Sequence, residues 1–385
     1  MITADLIRQW EKDIDACVRE IRHELHMHPE LAFQEFETAA IIRRYLTEWG
    51  IPFRTVETGT IADIPGSAPG PVIALRADID ALPIQEETGE EFASQNPGKM
   101  HACGHDAHTA MLLGAGKILW ENRHLLPGPV RLVFQPAEED GGGAQGMIAA
   151  GALENVEAIY CLHMGSGAAA GQIVTKPGYV QAASDAFEVF INGMGCHGAH
   201  PDLGVDAIVV ASHVILALQD LVSREINPLE PTVLTIGKIE GGTARNIICG
   251  QVILHGTLRT LNRDNRAFMQ KRIEEVACGV ASVMRGSAQV KFLPGYCATF
   301  NHEDNTRYAL NLVESIWGKE SIRMQREASM GAEDFGFYAQ EVPGVKMGLG
   351  PGREEGIHTA TFGMEEEALS RGVAIFCALA GRLQP

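Results

Sequence analysis

Three short, almost continuously apolar runs constrain this chain most: Pro71-Val-Ile-Ala-Leu-Arg-Ala77, Pro129-Val-Arg-Leu-Val-Phe-Gln135 and Val156-Glu-Ala-Ile-Tyr-Cys-Leu162. A strand that is apolar on both sides of its pleat has to be covered on both faces, which is the condition of the central strands in an α/β sheet. Each run then delivers polar residues at its carboxyl end: Asp78 and Asp80 after the first, Glu138 and Glu139 in the loop 136–143 after the second, His163 after the third. Open α/β sheets bind ligands beyond the carboxyl ends of their strands, so this clustering predicts a site there. Between the first two runs lies Met100-His-Ala-Cys-Gly-His-Asp-Ala-His108, with three imidazoles, a thiol and a carboxylate in nine residues. Helical spacing over 107–120 places Asp106 and His108 at a helix start.

The rest of the chain divides around that sheet. Apolar residues recur every three or four positions over 6–25, which predicts an amphipathic helix ended by His28-Pro29. A second helix is expected over 35–49, closed by Gly50. At 385 residues the chain exceeds the roughly 250–300 at which single cores stop growing, so two domains are expected. The texture changes near Ala183: strand patterns at 187–192, 232–238, 252–260 and 288–293 accompany helical patterns at 205–222 and 263–284. This predicts a discontinuous α/β domain, 1–182 with 296–385, interrupted by an inserted α+β lid over 183–295. The returning tail carries one more candidate ligand, His358.

Composition excludes some functions. A formal charge of −18 without clustered Lys and Arg argues against nucleic acid. No run approaches about 18 uninterrupted apolar residues, and the N-terminus has acidic residues in place of a signal-peptide core, so no membrane and a cytoplasmic location are expected. The eight cysteines lack disulfide-scaffold spacing, which leaves most as small buried residues.

The chemistry centres on Cys103, His105, Glu138, Glu139, His163 and His358. Thiolate and imidazole suit zinc, and carboxylates extend the range to manganese or cobalt. Five ligands exceed one tetrahedral site, which suggests two ions, and adjacent glutamates can divide metal binding from proton transfer. That pairing points to hydrolysis. Taken singly, each residue has an ordinary alternative: a hydrogen-bonded surface histidine, a buried thiol, a solvated Glu-Glu pair, or Asp78 and Asp80 capping a turn.

In combination, the motifs His26-Met-His-Pro-Glu30, Arg76-Ala-Asp-Ile-Asp-Ala-Leu-Pro83, Met100 to Thr109, Gln135-Pro-Ala-Glu-Glu139, Cys196-His-Gly-Ala-His-Pro201, Gly256-Thr-Leu-Arg259, Glu333-Asp-Phe335 and Ile357-His358 are specific. The chain resembles peptidase family M20, the family of aminoacylases and dinuclear zinc carboxypeptidases. Within it the match is to the amidohydrolase branch of hippurate hydrolases, auxin-conjugate hydrolases and N-acetyldiaminopimelate deacetylases. The resemblance implies a mixed-sheet catalytic domain with an inserted lid and dimerisation domain. It implies that Cys103, as the bridge, and His105, Glu139, His163 and His358 bind two divalent ions, manganese or zinc, with cobalt or nickel as other choices. By the same resemblance Glu138 is the general base, and His197 is a lid histidine that reaches the partner subunit's site and polarises the carbonyl. Asn246 and Arg259 would hold the substrate carboxylate, with a strand-end salt bridge as the alternative for Arg259. Asp78, Asp80 and Asp106 would support the ligands. Asp78 stands where other branches have a histidine ligand, a place that His105 would take over; Asp202 and Met194 depart from the residues common in relatives.

The expected activity is hydrolysis of the amide of an N-acyl amino acid by a homodimer or homotetramer formed through the lid. Two alternatives are an aminopeptidase, dipeptidase or carboxypeptidase with the same metal set, and a non-catalytic member that binds a small ligand.

Overall fold

The computed structural model describes residues 2–165 and 167–383, and it divides into two compact units, Met1–Val180 with Phe300–Glu327 and Asp334–Pro385, and Gln181–Thr299 with Ala328–Glu333. The chain opens with α1 (Ala4–Met27), α2 (Phe36–Trp49), β1 (Phe53–Val56), β2 (Gly59–Ile64), β3 (Val72–Asp78), α3 (His105–Glu121), β4 (Val130–Gln135), α4 (Gly143–Ala149), β5 (Val156–Met164), β6 (Ile173–Thr175) and β7 (Gly178–Gln181). The second unit supplies β8 (Ala183–Asn192), α5 (Ala207–Asp220), β9 (Thr232–Gly241), β10 (Gln251–Thr260), α6 (Arg263–Val283) and β11 (Ser287–Phe292). The chain returns with β12 (Thr299–Asn301), α7 (Glu303–Trp317), β13 (Ile322–Met324), α8 (Phe335–Glu341), β14 (Gly344–Leu349) and α9 (Glu367–Ala380).

The first unit is built on a mixed eight-stranded sheet in the order β1-β2-β4-β3-β5-β14-β6-β13. The three apolar runs are its adjacent, mutually parallel strands β4, β3 and β5. Their side chains alternate between two cores: Ile73, Leu75, Leu132, Tyr160 and Leu162 join α1, α3 and α9 on one face. Ala74, Val133, Ile159 and Cys161 join Ala144 and Met147 of α4 and Phe335 and Tyr338 of α8 on the other. Double coverage explains why these runs read as continuous rather than alternating. α1 ends at the His28 cap, and Gly50 at φ 73° closes α2 in the left-handed conformation that glycine adopts at least cost.

The sequence reading did not resolve the β1–β2 hairpin, whose Val56-Glu57-Thr58-Gly59 turn has Glu57 at φ 53°, or assign bounds to α9. His163 also lies within β5 rather than after it, since pairing with β14 continues to Met164.

The second unit is a four-stranded antiparallel sheet, order β11-β8-β10-β9, packed against α5 and α6. β8 alternates strictly, with Phe187, Val189 and Ile191 buried toward the helices. Asp206 caps α5 by accepting from the Ile208 amide, as an N-cap aspartate does. The helical stretch Ala207–Glu225 is long and apolar enough to cross a membrane by length and composition, yet Val210, Val214, Leu218 and Leu221 are buried in this unit's core.

Candidate metal centre

An arginine in a strand covered on both faces is tolerated only when its donors are matched. Arg76 is 1% exposed and donates to Asp78 Oδ2 at 2.5 Å, Gln135 Oε1 at 2.9 Å and Asp334 Oδ1 at 2.8 Å. Asp334 also accepts from Gln135 Nε2 at 2.7 Å and from the Ala144 amide at 3.0 Å. Burial alone would push the Asp78 carboxyl up; the charges of His105 and Arg76 outweigh it and hold the group well below the usual carboxylate range. Asp78 is therefore the anion of a buried network rather than a turn cap.

Two histidines of α3 approach Asp78 in different ways. His108 has Nδ1 2.5 Å from Asp78 Oδ1, while its Nε2 accepts the Met164 amide proton at 2.7 Å. Only the Nδ1–H tautomer satisfies both partners, so the remaining lone pair of His108 is taken. Asp78, His105 and His108 do offer atoms within 4.8 Å of one another, but His108 acts there as a buttress for the β5 end. Burial outweighs the pull of Asp78 and keeps the His108 pKa below its ordinary value.

His105 instead faces Asp80, with Nδ1 3.2 Å from Oδ1. Its Nε2 is buried without a hydrogen-bond partner, with Asp78 Oδ2 at 3.8 Å and Glu139 Oε1 at 3.9 Å. A ring turned through one nitrogen to a carboxylate, with the other left without a hydrogen-bond partner, is placed as metal-binding histidines usually are. Burial alone would lower its pKa, but Asp78 and Cys103 outweigh it and raise it well above the ordinary value, so the Nε2 proton is one that a bound cation would displace. Asp80 does more than orient this ring. Its Oδ1 also accepts from the Glu138 amide at 3.1 Å, and its Oδ2 from the Glu139 amide at 3.0 Å.

The other donors gather around the same point. His163 Nδ1 donates to the Met164 carbonyl at 2.6 Å, and its Nε2 faces Cys103 Sγ at 3.7 Å. His358 Nε2 lies 3.2 Å from Glu139 Oε1, a contact that raises its pKa. Cys103, His105 and His163 form one group with donor atoms within 4.8 Å; Cys103, Glu139 and His358 form a second; His105, Glu138 and Glu139 form a third. The sulfur of Cys103 thus belongs to two groups. Burial pushes this thiol up to about 12, so its thiolate calls for a cation beside it. A buried bare imidazole nitrogen, a buried thiol and carboxylates in overlapping triads fit one or more divalent ions of the zinc and manganese type.

The backbone is shaped to this end. Gly104, at φ 85°, separates Cys103 from His105 where an added Cβ would come within 2.9 Å of Met164 Cγ. Ala137 and His358 hold positive φ, 52° and 64°, without being glycine. Such conformations cost roughly 1–3 kcal/mol each and cluster at functional sites, where the surroundings over-determine them. The His358 amide is tied to the Ala102 carbonyl at 2.7 Å, which joins the loop of His358 to that of Cys103.

Asp106 differs from the expectation of a ligand-supporting role. Its Oδ2 binds His26 Nδ1 at 2.7 Å and Arg22 Nε at 3.0 Å, so its hydrogen bonds turn to α1 and reach none of the five candidate ligands. The reason is its position one residue after His105 on a helix, about 100° around the axis.

In the second unit, taken alone, His197 and Asn246 sit on an exposed turn pair in which the Gly198 amide donates to the Asn246 carbonyl at 2.7 Å. His197 Nδ1 accepts from the Ala199 amide at 3.1 Å, which leaves Nε2 as the N–H donor of the neutral ring. Arg259 lies half-buried on β10, and no carboxylate among the described residues forms an ion pair with it. The sequence reading assigned no role to Arg76, Gln135, Asp334 or Glu35. A charged residue inside an apolar run, as at Arg76, was the available signal.

Comparison with known proteins identifies the family. A model of Peptidase family M20/M25/M40 matches residues 74–382. The N-acetyl-L-cysteine deacetylase of Bacillus subtilis is 42% identical over 366 residues, covering 94% of this chain and 87% of its own. The IAA-amino acid hydrolase ILR1-like 4 of Arabidopsis thaliana is 40% identical over 94% of this chain and 84% of its own. The crystal structure of the Bacillus subtilis YxeP protein, described as a dinuclear metal binding peptidase from the M20 family, superposes with a TM-score of 0.85 at 36% identity, covering 96% of this chain and 98% of that one. With its α/β architecture and a family match spanning most of its length, the chain belongs to peptidase family M20/M25/M40, in its amidohydrolase branch.

Proposed function

We propose that this protein is a metal-dependent hydrolase that cleaves the amide bond of N-acyl amino acids, releasing a carboxylic acid and a free amino acid. The observation that carries the reading is the sharing of Cys103 between two donor triads, with the Glu138 carboxylate in a third that overlaps them. Relatives named for N-acetyl-L-cysteine and for IAA-amino acids support the substrate class.

In this reading Cys103, His105, Glu139, His163 and His358 hold two divalent ions, manganese or zinc. When bound, the ions supply Lewis-acid polarisation of the scissile carbonyl and a lowered pKa for the attacking water. Glu138 takes one proton from that water as the oxygen adds to the carbonyl carbon. It then returns the proton to the amide nitrogen as the C–N bond breaks. Asp80 keeps the Glu138 amide and the His105 ring in register throughout, so little reorganisation accompanies the step. His197, with Nε2–H as its donor, serves the oxyanion, supplied by a second copy of the chain. Arg259 and Asn246 bind the substrate carboxylate, the guanidinium in a bidentate fashion.

A homodimer through the inserted unit is part of the proposal. β9 is the edge of its sheet and exposes Val233 and Ile239, and α5 exposes Ile208 and Leu216. A ten-residue edge strand with unpaired backbone groups, exposing Lys238 and Glu240 as well as its apolar residues, offers a place for another copy to pair. We place the enzyme in the cytoplasm, in keeping with its free cysteines.

The test is a panel of N-acetyl and N-benzoyl amino acids assayed with chelator-stripped protein. Hydrolysis should be lost on stripping and regained with manganese or zinc. Absence of turnover on the whole panel with every metal would overturn the proposal, and preference for unblocked dipeptides would move the enzyme to the dipeptidases.

A further inference from the structure

We infer that Glu35, about a hundred positions before Glu138 in sequence, is a positioning residue that sets the backbone from which Glu138 acts. The inference rests on the proposed role of Glu138. Glu35 caps α2 and is fully buried, yet its carboxylate does not serve the helix. Its Oε2 accepts from Thr58 Oγ1 at 2.8 Å and its Oε1 from the Ala137 amide at 2.9 Å. The next two amides, those of Glu138 and Glu139, go to Asp80. Three consecutive N–H groups of one loop are therefore fixed by two buried carboxylates.

Chemistry explains why so much is spent on three amides. Ala137 sits at φ 52°, a conformation an alanine does not hold unaided. That left-handed residue turns the chain from β4 so that Glu138 and Glu139 follow with both amides toward Asp80. Asp80 can hold the two later amides but not the residue that makes the turn. Glu35 supplies the missing restraint, and Thr58, in the β1–β2 turn, fixes the second oxygen of Glu35. Farther along the loop, the Gly143 amide closes onto the Ala137 carbonyl at 3.0 Å, and an added Cβ on Gly143 would come within 1.9 Å of the Pro136 carbonyl oxygen. The loop is thus tied down at its start, and a rotation at Ala137 would carry the Glu138 carboxylate away from the His105 and Glu139 donors.

A misplacement of about 1 Å at a reacting group can cost about a hundredfold in rate. Glu35→Leu should accordingly lower kcat by roughly tenfold to a hundredfold, with KM and bound metal per subunit within about threefold of wild type. Glu35→Gln keeps an acceptor for the Ala137 amide and a donor for Thr58, and should stay within about threefold. Adding Ala137→Gly to Glu35→Leu removes the cost of positive φ and should restore kcat in part, a rescue that general destabilisation of the fold would not show. Hydrogen exchange of the peptide covering 136–143 supplies a readout independent of substrate. It should quicken by about tenfold in Glu35→Leu and not in Glu35→Gln. If Glu35→Leu does not fold, Glu35→Asp, which keeps the charge but is too short to span Thr58 and Ala137, should show the same loss of kcat and faster exchange. Wild-type kcat and unchanged exchange in the variant that folds would overturn the inference. Inactivity of the wild type on all N-acyl amino acids would sink the proposed reaction alone, because the exchange result stands without it.

Discussion

In the first unit Asp78, Asp80, His105 and His108 are each at most 1% exposed, and each is held by a partner whose own position is fixed. In the second unit His197 and Asn246 lie on exposed turns, and Arg259 is half-buried without an ion pair among the described residues. The contrast fits the roles proposed for these groups. A base or a metal ligand must be in place before substrate arrives, since reorganisation during the reaction would add to the barrier. Groups that recognise a substrate or its oxyanion gain part of their surroundings on binding, and they can remain solvated until then. With the roles proposed for these residues, buried order in the first unit and exposed donors in the second would divide machinery from recognition.

The most direct way to break this division is to disable one member of each set. Glu138→Gln should lower kcat by about a thousandfold with bound metal unchanged, the scale expected for a lost general base. His197→Ala should cost about a hundredfold, the scale of one lost oxyanion donor. Mixing the two inactive proteins should restore a fraction of the activity, because a hybrid dimer would contain one site with both residues intact. Steady-state kinetics on an N-acyl amino acid measures all three. No recovery after demonstrated subunit exchange would place His197 in its own chain's site or outside the reaction.

What the sequence revealed and what it hid also follow from this contrast. Apolar runs and their polar ends are local patterns, so β3, β4 and β5, the α/β class and the residue types at the strand ends could be read directly. The wiring beneath them joins residues remote in sequence: Arg76 to Asp334 across 258 positions, Glu35 to Ala137 across 102. No periodicity reports such pairs. Asp106, expected near the ligands at a helix start, stands in the first turn of α3, and its partners Arg22 and His26 are likewise about 80 residues away on another helix. His101, left without a role, turns out to be fully buried, and burial pushes its pKa down to about 3, so it is a neutral ring in the core.

The buried order of the first unit can be titrated. His26 has Nδ1 2.7 Å from Asp106 and Nε2 3.2 Å from Glu86, so both nitrogens donate and the ring is an imidazolium. Burial and the neighbouring Arg22 oppose the charge, but Asp106 and Glu86 outweigh them and raise the pKa to about 9. A pKa raised above its unfolded value of about 6.5 contributes stability that is complete below pH 6.5 and fades as the pH rises through 9. Glu86, lowered to about 2, contributes above about pH 4.5 and fades as the pH falls through 2. Denaturant unfolding of the wild type should lose on the order of 2–3 kcal/mol from His26 between pH 6.5 and 9.5, and His26→Asn should remove that slope. Equal slopes in the two proteins would mean that the pair is not linked to folding.

The smallest effect belongs to Arg259, and it sharpens what the second unit contributes. No carboxylate among the described residues forms an ion pair with it, and a planar guanidinium matches a carboxylate in two parallel bonds. Arg259→Lys keeps the charge and loses the fork, so kcat/KM should fall by about tenfold, mostly through KM. Arg259→Ala should fall further, and both variants should discriminate less against N-acyl amino acid amides, which lack the carboxylate. A structural arginine would behave differently: thermal stability would drop while the preference for the free carboxylate remained. Measuring KM for matched acid and amide substrates, beside the unfolding temperature, separates recognition from support at this position.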